Sequence, residues 1–204
     1  MRPPGTLLLI DERQLILRAR NGDEEAFDAL VARHGRLVLR VARSIVGSLA
    51  EAEDVAQEVF LRLYRSLGRL DPARPLEPWV VRLTLNAARS HRERSPARRE
   101  TGLEAAGPRT EDGGQGFRQV AATDLRRILG EALAAVTERE REVFLLRDVH
   151  GLKAAVVADA LGIAEVTVRR LSTSARAKIR RRLEAEHPEL IGGIPRPAAR
   201  SAKH

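Results

Sequence analysis

The sequence predicts an all-α protein made of two small helical domains joined by a flexible linker. Apolar residues recur at three- and four-residue spacing through most of residues 11–94 and 123–186, the period of helices with one buried stripe. Residues 95–122 break that period with Pro96, Pro108 and glycines at 102, 107, 113, 114 and 116, a composition suited to a linker. Hydrophobic residues make up 43% of the chain but aromatics only 3%. The cores must therefore be filled by Leu, Val and Ala, which suits helices better than sheets.

Residues 1–10 form a loose lead-in, where Pro3, Pro4 and Gly5 oppose regular structure. A short amphipathic helix follows over Asp11 to Asn21, with Leu15, Ile16 and Ala19 on one side. Gly22 and Asp23 break it and cap a long helix whose stripe runs from Phe27 through Leu30, Leu37 and Val41 to Ile45, ending at Gly47. His34 lies inside that stripe with no second ligand at metal spacing, so a packed core histidine is expected. Ser48 and Glu51 have the spacing of a capping box. They open a helix that buries Val55, Ala56, Val59, Phe60 and Leu63, and Gly68 is expected to close it in the left-handed conformation. Its other face carries Asp54, Gln57, Glu58 and Leu61, an acidic-polar strip with an exposed leucine. After a proline-rich loop, Pro78 falls in the first turn of a helix, where its missing N–H costs nothing. That helix is expected to bury Trp79, Val80, Leu83 and Ala87 and to present Arg82, Asn86, Arg89, Arg92 and Arg94.

Helical period resumes at Thr123, with Leu125, Ile128, Leu129, Ala132, Leu133 and Val136 in one stripe. Thr137 and Glu140 make a second capping box, opening a helix that runs to Gly151. Residues 154–173 then fit a helix-turn-helix. Ala158 is small where two helices cross closely, and Gly162 stands where the turn needs a positive φ. Val157, Leu161, Ile163, Val168 and Leu171 fall on the inner faces. Thr167, Arg169, Arg170, Ser172, Thr173 and Arg176 fall outward, and short polar groups and arginines are what reach base edges and phosphates in a major groove. Beyond residue 186 a Gly-, Pro- and Arg-containing tail is expected to be disordered.

The charge balance agrees with a polyanionic partner. The net charge is +8 over 204 residues, split as +5 in residues 123–204 and +3 in residues 1–94. Neither share is large enough for tight non-specific binding. With no cysteine in the chain, disulfides, thiolate metal sites, cysteine catalysis and direct thiol sensing are excluded. No Ser/His/Asp set, phosphate-cradling glycine loop or metal-spaced cluster supports an enzyme, so neither catalysis nor a cofactor is expected. The apolar run Leu7 to Ile10 is too short to span a membrane, and a cytoplasmic protein without direct membrane insertion is expected.

Two helical blocks, a linker and a C-terminal helix-turn-helix together resemble the extracytoplasmic-function group of bacterial RNA polymerase sigma factors. The resemblance is carried by EAFDALVARHGRLVLRVA, AEDVAQEVFLRLY, PWVVRLTLNAARSHRER, VTEREREVFLLRDVHGL and ADALGIAEVTVRR. It implies a polymerase-binding and minus-10-binding domain over 11–94, a linker over 95–122 and a minus-35-binding domain over 123–186. Asp54, Gln57, Glu58 and Leu61 would dock on the clamp helices of core RNA polymerase, with the flap as a further contact. Arg82, Asn86, Arg89 and Arg92 would take the minus-10 element of promoter DNA. Thr167, Arg169, Arg170, Thr173 and Arg176 would read the minus-35 duplex. An anti-sigma factor is a further implied partner.

Ser90 stands where the group usually has aspartate, Val156 where it has glutamate, Val166 where it has glycine, and Leu171-Ser172 where it has Arg-Leu. These departures predict an altered minus-35 specificity. The rival reading is a stand-alone helix-turn-helix regulator that binds a palindromic operator without polymerase. The acidic Gln-Glu strip discriminates, because a repressor has no need for it.

Overall fold

The computed structural model describes residues 11–94 and 128–188. Among them the chain is helical without strands, in two blocks. The N-terminal block holds α1 (Glu12–Arg20), α2 (Glu24–Val46), α3 (Leu49–Ser66) and α4 (Leu76–Arg94). The C-terminal block holds α5 (residues 128–134), α6 (Glu138–Phe144), α7 (Ala154–Leu161) and α8 (Glu165–Glu186), with a π turn over Leu145–Val149. The expected linker, the lead-in over residues 1–10, the expected helix start over residues 123–127 and the tail from residue 189 lie outside the described residues.

α2 is the spine of the first block and packs on each of α1, α3 and α4. It starts where the Asp23 carboxylate accepts the Ala26 N–H at 3.1 Å and stops at Gly47, whose φ of +81° is left-handed. Leu15, Ile16, Leu30, Val38, Val55, Val59, Leu63 and Val80 fill the core at 0–1% exposure. His34 is buried there, as its place in the stripe predicts. Its Nε2 lies 2.8 Å from a Glu12 oxygen, and the other Glu12 oxygen accepts the Leu76 N–H at 2.9 Å. One carboxylate thus joins α1, α2 and a free N–H at the start of α4. The His34 hydrogen bond is the main reason its pKa falls below the usual carboxylate range. Glu12→Ala strands both partners and is expected to cost about 2 kcal/mol, read as a lowered denaturation midpoint, with Glu12→Gln intermediate.

α3 departs from expectation at both ends. The Ser48 side chain makes no capping bond. Gly68 does not enter the left-handed region either, but sits inside a 3-10 turn over Leu67–Arg69. The reason is a distant arginine: Arg20 Nε donates to Leu67 O at 3.0 Å and its Nη2 to Leu70 O. These bonds hold the carbonyls at the two ends of the 3-10 turn. Leu67 is meanwhile carried into the core at 4% exposure.

In the second block the Thr137–Glu140 capping box forms in both directions. The helix it opens gives way to the π turn before Gly151, at φ +72°. Gly162, at φ +64°, makes the helix-turn-helix corner, where the Ile163 N–H returns to Ala158 O at 3.0 Å. Ser172, expected outward, is buried at 4%. Its hydroxyl donates to Asp148 at 3.0 Å, because the π turn brings that carboxylate against α8.

The two blocks are packed together, α4 lying on α7. Val41, Val81 and Leu85 of the first block share an apolar cluster with Val143, Leu146, Leu152, Val157 and Val168 of the second. This explains why α4 buries Val81 and Leu85 beyond its expected stripe, while Ala88 joins the core of the first block. Val80 and Ala87 are buried and Trp79 and Leu83 half-buried, while Val81, Thr84, Leu85 and Ala88 are also inside.

Candidate functional site

Three surfaces carry the residues singled out from the sequence. The first is the outer face of α3. Asp54, Gln57 and Leu61 are exposed and Glu58 is half-exposed. Glu58 holds Arg62 one turn on at 2.5 Å. Gln57 and Leu61 also line an open groove of about 530 Å³ between α2 and α3, closed by Glu24, Phe27, Asp28, Phe60 and Tyr64. Leu61 is 57% and Tyr64 54% exposed. The Tyr64 ring meets Phe27 edge-on, with centroids 5.1 Å apart. Sequence reasoning did not include Glu24, Phe27, Asp28 and Tyr64 in this surface. The available signal was Tyr64, which follows Leu61 by three residues and Gln57 by seven and so falls on the same face.

The second surface is the arginine face of α4. Asn86 is exposed, but the arginines expected to be free are engaged. Arg82 Nε donates to Ala160 O at 3.1 Å, its Nη2 donates to Asp159 O, and the Asp159 carboxylate lies 3.8 Å away. Arg82 thus caps the C-terminus of α7, whose last carbonyls lack helical partners and carry the negative end of the dipole. Arg89 pairs with the Glu142 carboxylate and Arg92 with Glu138 at 3.3 Å. Burial lowers the Arg89 pKa from its ordinary value. Its Nε is buried without an acceptor among the described residues.

The third surface is the exposed side of α8. Arg169 and Arg170 are exposed near its start, with Thr167 half-buried beside them and Val166 71% exposed. Arg169 holds Glu165 at 2.8 Å, and the Thr173 hydroxyl donates back to Arg169 O at 3.0 Å. Arg176 is tied to the Asp148 carboxylate. Lys178, part of the basic continuation, turns inward to Glu140 at 2.8 Å. An exposed second helix behind a glycine corner is the shape of a major-groove reader, so the fold and this face define a helix-turn-helix nucleic-acid-binding protein that also carries a separate open groove between α2 and α3.

The chain matches the sigma-70 region 2 family over residues 30–98 and the sigma-70 region 4 family over residues 126–179. It is 32% identical over 183 residues to the RNA polymerase sigma factor CnrH of Cupriavidus metallidurans, covering 86% of this chain and 95% of that protein. It is 29% identical to the extracytoplasmic-function sigma factor SigM of Mycobacterium tuberculosis, covering 79% of each. The solved structure of CnrH in complex with the cytosolic domain of CnrY is similar at a TM-score of 0.64 and 28% identity, over 86% of this chain and 98% of that one. RpoE of Bartonella quintana, solved with the anti-sigma factor NepR, shares the fold at a TM-score of 0.56 and 19% identity, over 78% of this chain and 98% of that one. The chain belongs to the sigma-70 family of RNA polymerase sigma factors, in its extracytoplasmic-function group. It is a transcription initiation factor, and the stand-alone regulator is not favoured.

Proposed function

We propose that this sigma factor engages core polymerase through the α2–α3 groove and its acidic strip, the minus-10 strand through α4, and the minus-35 duplex through α8. The observation that carries the reading is the groove. An open apolar cleft, edged by the carboxylates of Glu24 and Asp28 and by Gln57, has no use in a protein that binds only DNA. Asp54, Glu58, Gln57 and Leu61 would dock on the clamp helices, with Tyr64 and Phe27 added as aromatic contacts. Asn86 would hydrogen-bond an unstacked base while Arg82, Arg89 and Arg92 hold phosphates. Arg169, Arg170, Thr167, Thr173 and Arg176 would face the minus-35 groove.

The domains for these tasks are residues 11–94 and 123–186. Bond chemistry belongs to the polymerase, and this chain contributes binding and strand separation without a cofactor. No helix among the described residues is long and apolar enough to cross a membrane. Action on promoter DNA would place the protein in the cytoplasm. The solved relatives bound to CnrY and NepR support an anti-sigma partner for this chain as well.

The test is co-elution with sigma-free core polymerase on gel filtration. Wild-type protein is expected to bind and Glu58→Arg to lose at least about tenfold in affinity, because like charges juxtaposed at an interface are costly. A folded wild type that does not bind core would end the reading.

A further inference from the structure

We infer that Val166 reads a thymine: its isopropyl group packs against the C5-methyl of one thymine in the minus-35 duplex and so fixes one base pair of the promoter. This rests on the assignment of α8 to the minus-35 duplex.

Val166 is the second residue of α8, just beyond the Gly162 corner. It is 71% exposed, more than any other large apolar residue among the described residues. A lone exposed valine is ordinary on a protein surface, but the place of this one is not. Val166, Arg169, Arg170 and Thr173 follow one another at the spacing of a single helix face, and all four are exposed. Val168, which lies between them in the chain, is fully buried, so the two sides of the helix are sharply divided. Val166 thus heads the stripe that carries the polar residues assigned to the duplex. In a helix-turn-helix the N-terminal residues of the second helix are the ones that meet base edges.

Valine offers the groove neither donor nor acceptor, so it cannot answer a base by hydrogen bonding. The apolar group that the bases present in the major groove is the C5-methyl of thymine. In a helix the branched side chain is nearly fixed in one χ1 rotamer, so little freedom is left to lose on binding. The polar neighbours complement this contact. Arg169 is paired with Glu165 at 2.8 Å, and the Thr173 hydroxyl is committed to Arg169 O. Arg170, one turn beyond Val166, is exposed and carries the charge for a phosphate or a guanine edge. Residues one turn apart are separated by roughly 6 Å and successive bases by about 3.4 Å. Val166 and Arg170 therefore address positions within about two base pairs of each other.

The experiment uses the full chain joined to sigma-free core polymerase. Duplex promoter fragments randomised through the minus-35 region are selected for binding by the wild-type holoenzyme. Each thymine that selection fixes is then replaced singly by deoxyuridine, which removes the methyl group and leaves base pairing unchanged. Affinities are measured by fluorescence anisotropy for wild type and Val166→Ala, with core-polymerase binding as the control for folding.

At one thymine the wild type is expected to lose about fourfold in affinity when the methyl is removed, the effect of one such group leaving an apolar contact. Val166→Ala should respond less than about twofold at that position and keep the wild-type response at the others, the signature of a direct pairwise coupling. Selection repeated with Val166→Asn should replace that thymine, since asparagine favours adenine. A wild type with no methyl-sensitive thymine, or methyl sensitivity that survives Val166→Ala unchanged at every position, would overturn the inference. So would loss of core-polymerase binding in Val166→Ala, which would make the side chain a protein contact. Selection with Arg169→Ala/Arg170→Ala separates the two failures. If that variant changes the minus-35 preference while the Val166 test fails, α8 reads the duplex and only the thymine contact is wrong. If the preference is unchanged, or none emerges for the wild type, the α8 assignment fails and the thymine contact with it.

Discussion

Replacing Glu140 by alanine is expected to lower the thermal midpoint of the protein by roughly 15 °C, the effect of about 3 kcal/mol in a domain of this size. Glu140 is only 4% exposed and its carboxylate serves several groups. It accepts the Thr137 N–H at 2.9 Å, the Ser174 hydroxyl at 2.6 Å and both contacts of the Lys178 ammonium, at 2.8 and 2.9 Å. Alanine removes the capping box and leaves a half-buried lysine without its counter-ion on the face where α6 meets α8. Glu140→Gln keeps the shape and part of the hydrogen bonding, so it should fall between.

The acid response follows from the same contacts. Lys178 above all, then Ser174 and Thr137, hold the Glu140 pKa at about 2 against an ordinary 4.5. The unfolded chain therefore takes up the proton first. Glu140's contribution is complete above pH 4.5 and declines as the pH falls toward 2. His150 acts at milder pH. Burial, and then the nearby Arg40, lower its pKa to about 4 from 6.5. The unfolded state gains a proton between those values that the folded state refuses, so stability declines as pH falls from 6.5 to 4. Urea midpoints against pH should show the upper slope abolished by His150→Gln and the lower one, to which Glu12 also contributes, reduced by Glu140→Gln. A midpoint flat from pH 7 to 4 in the wild type would contradict the His150 assignment.

Tyr64→Ala and Leu61→Asp are each expected to weaken core-polymerase binding about thirtyfold, with little change in thermal midpoint. Both side chains are more than half exposed and so contribute little to the fold. Both line the α2–α3 groove, and a buried aromatic or aliphatic anchor at the centre of an interface typically costs about 2 kcal/mol or more when truncated. Tyr64 is additionally fixed by its edge-on contact with Phe27, so it is presented to a partner with little ordering left to do. Equilibrium titration of labelled core polymerase gives the affinity, and a parallel melt gives the stability. Unchanged affinity in both variants would place the docking surface elsewhere than this groove.

Much of this was determined by local sequence alone. Helical period marked the elements and most of the residues that fill their cores. Gly47, Gly151 and Gly162 marked ends that require a positive φ, and Thr137 with Glu140 spelled a capping box that forms as read. The five segments that carry the resemblance, among them the Asp54-to-Phe60 stretch and the helix-turn-helix, suggested the family by their order and spacing. These features share a cause, since each depends on residues within about a turn of one another.

What the tertiary structure decided depends on partners far along the chain. Ser48 and Gly68 looked like caps, but Arg20, 47 residues from Leu67, does the work at the end of α3. Ser172 turns inward because Asp148 is waiting on the π turn. The groove exists only where α2 lies against α3, which is how Phe27 and Tyr64 come to share it. Arg82 and Arg89 read as open cations because nothing in the spacing of α4 points to the groups that hold them. Their acceptors lie up to 78 residues away and reach them only when the two blocks close. A periodic pattern states which face of a helix is apolar, but the pairing of charges is settled by how the helices are brought together.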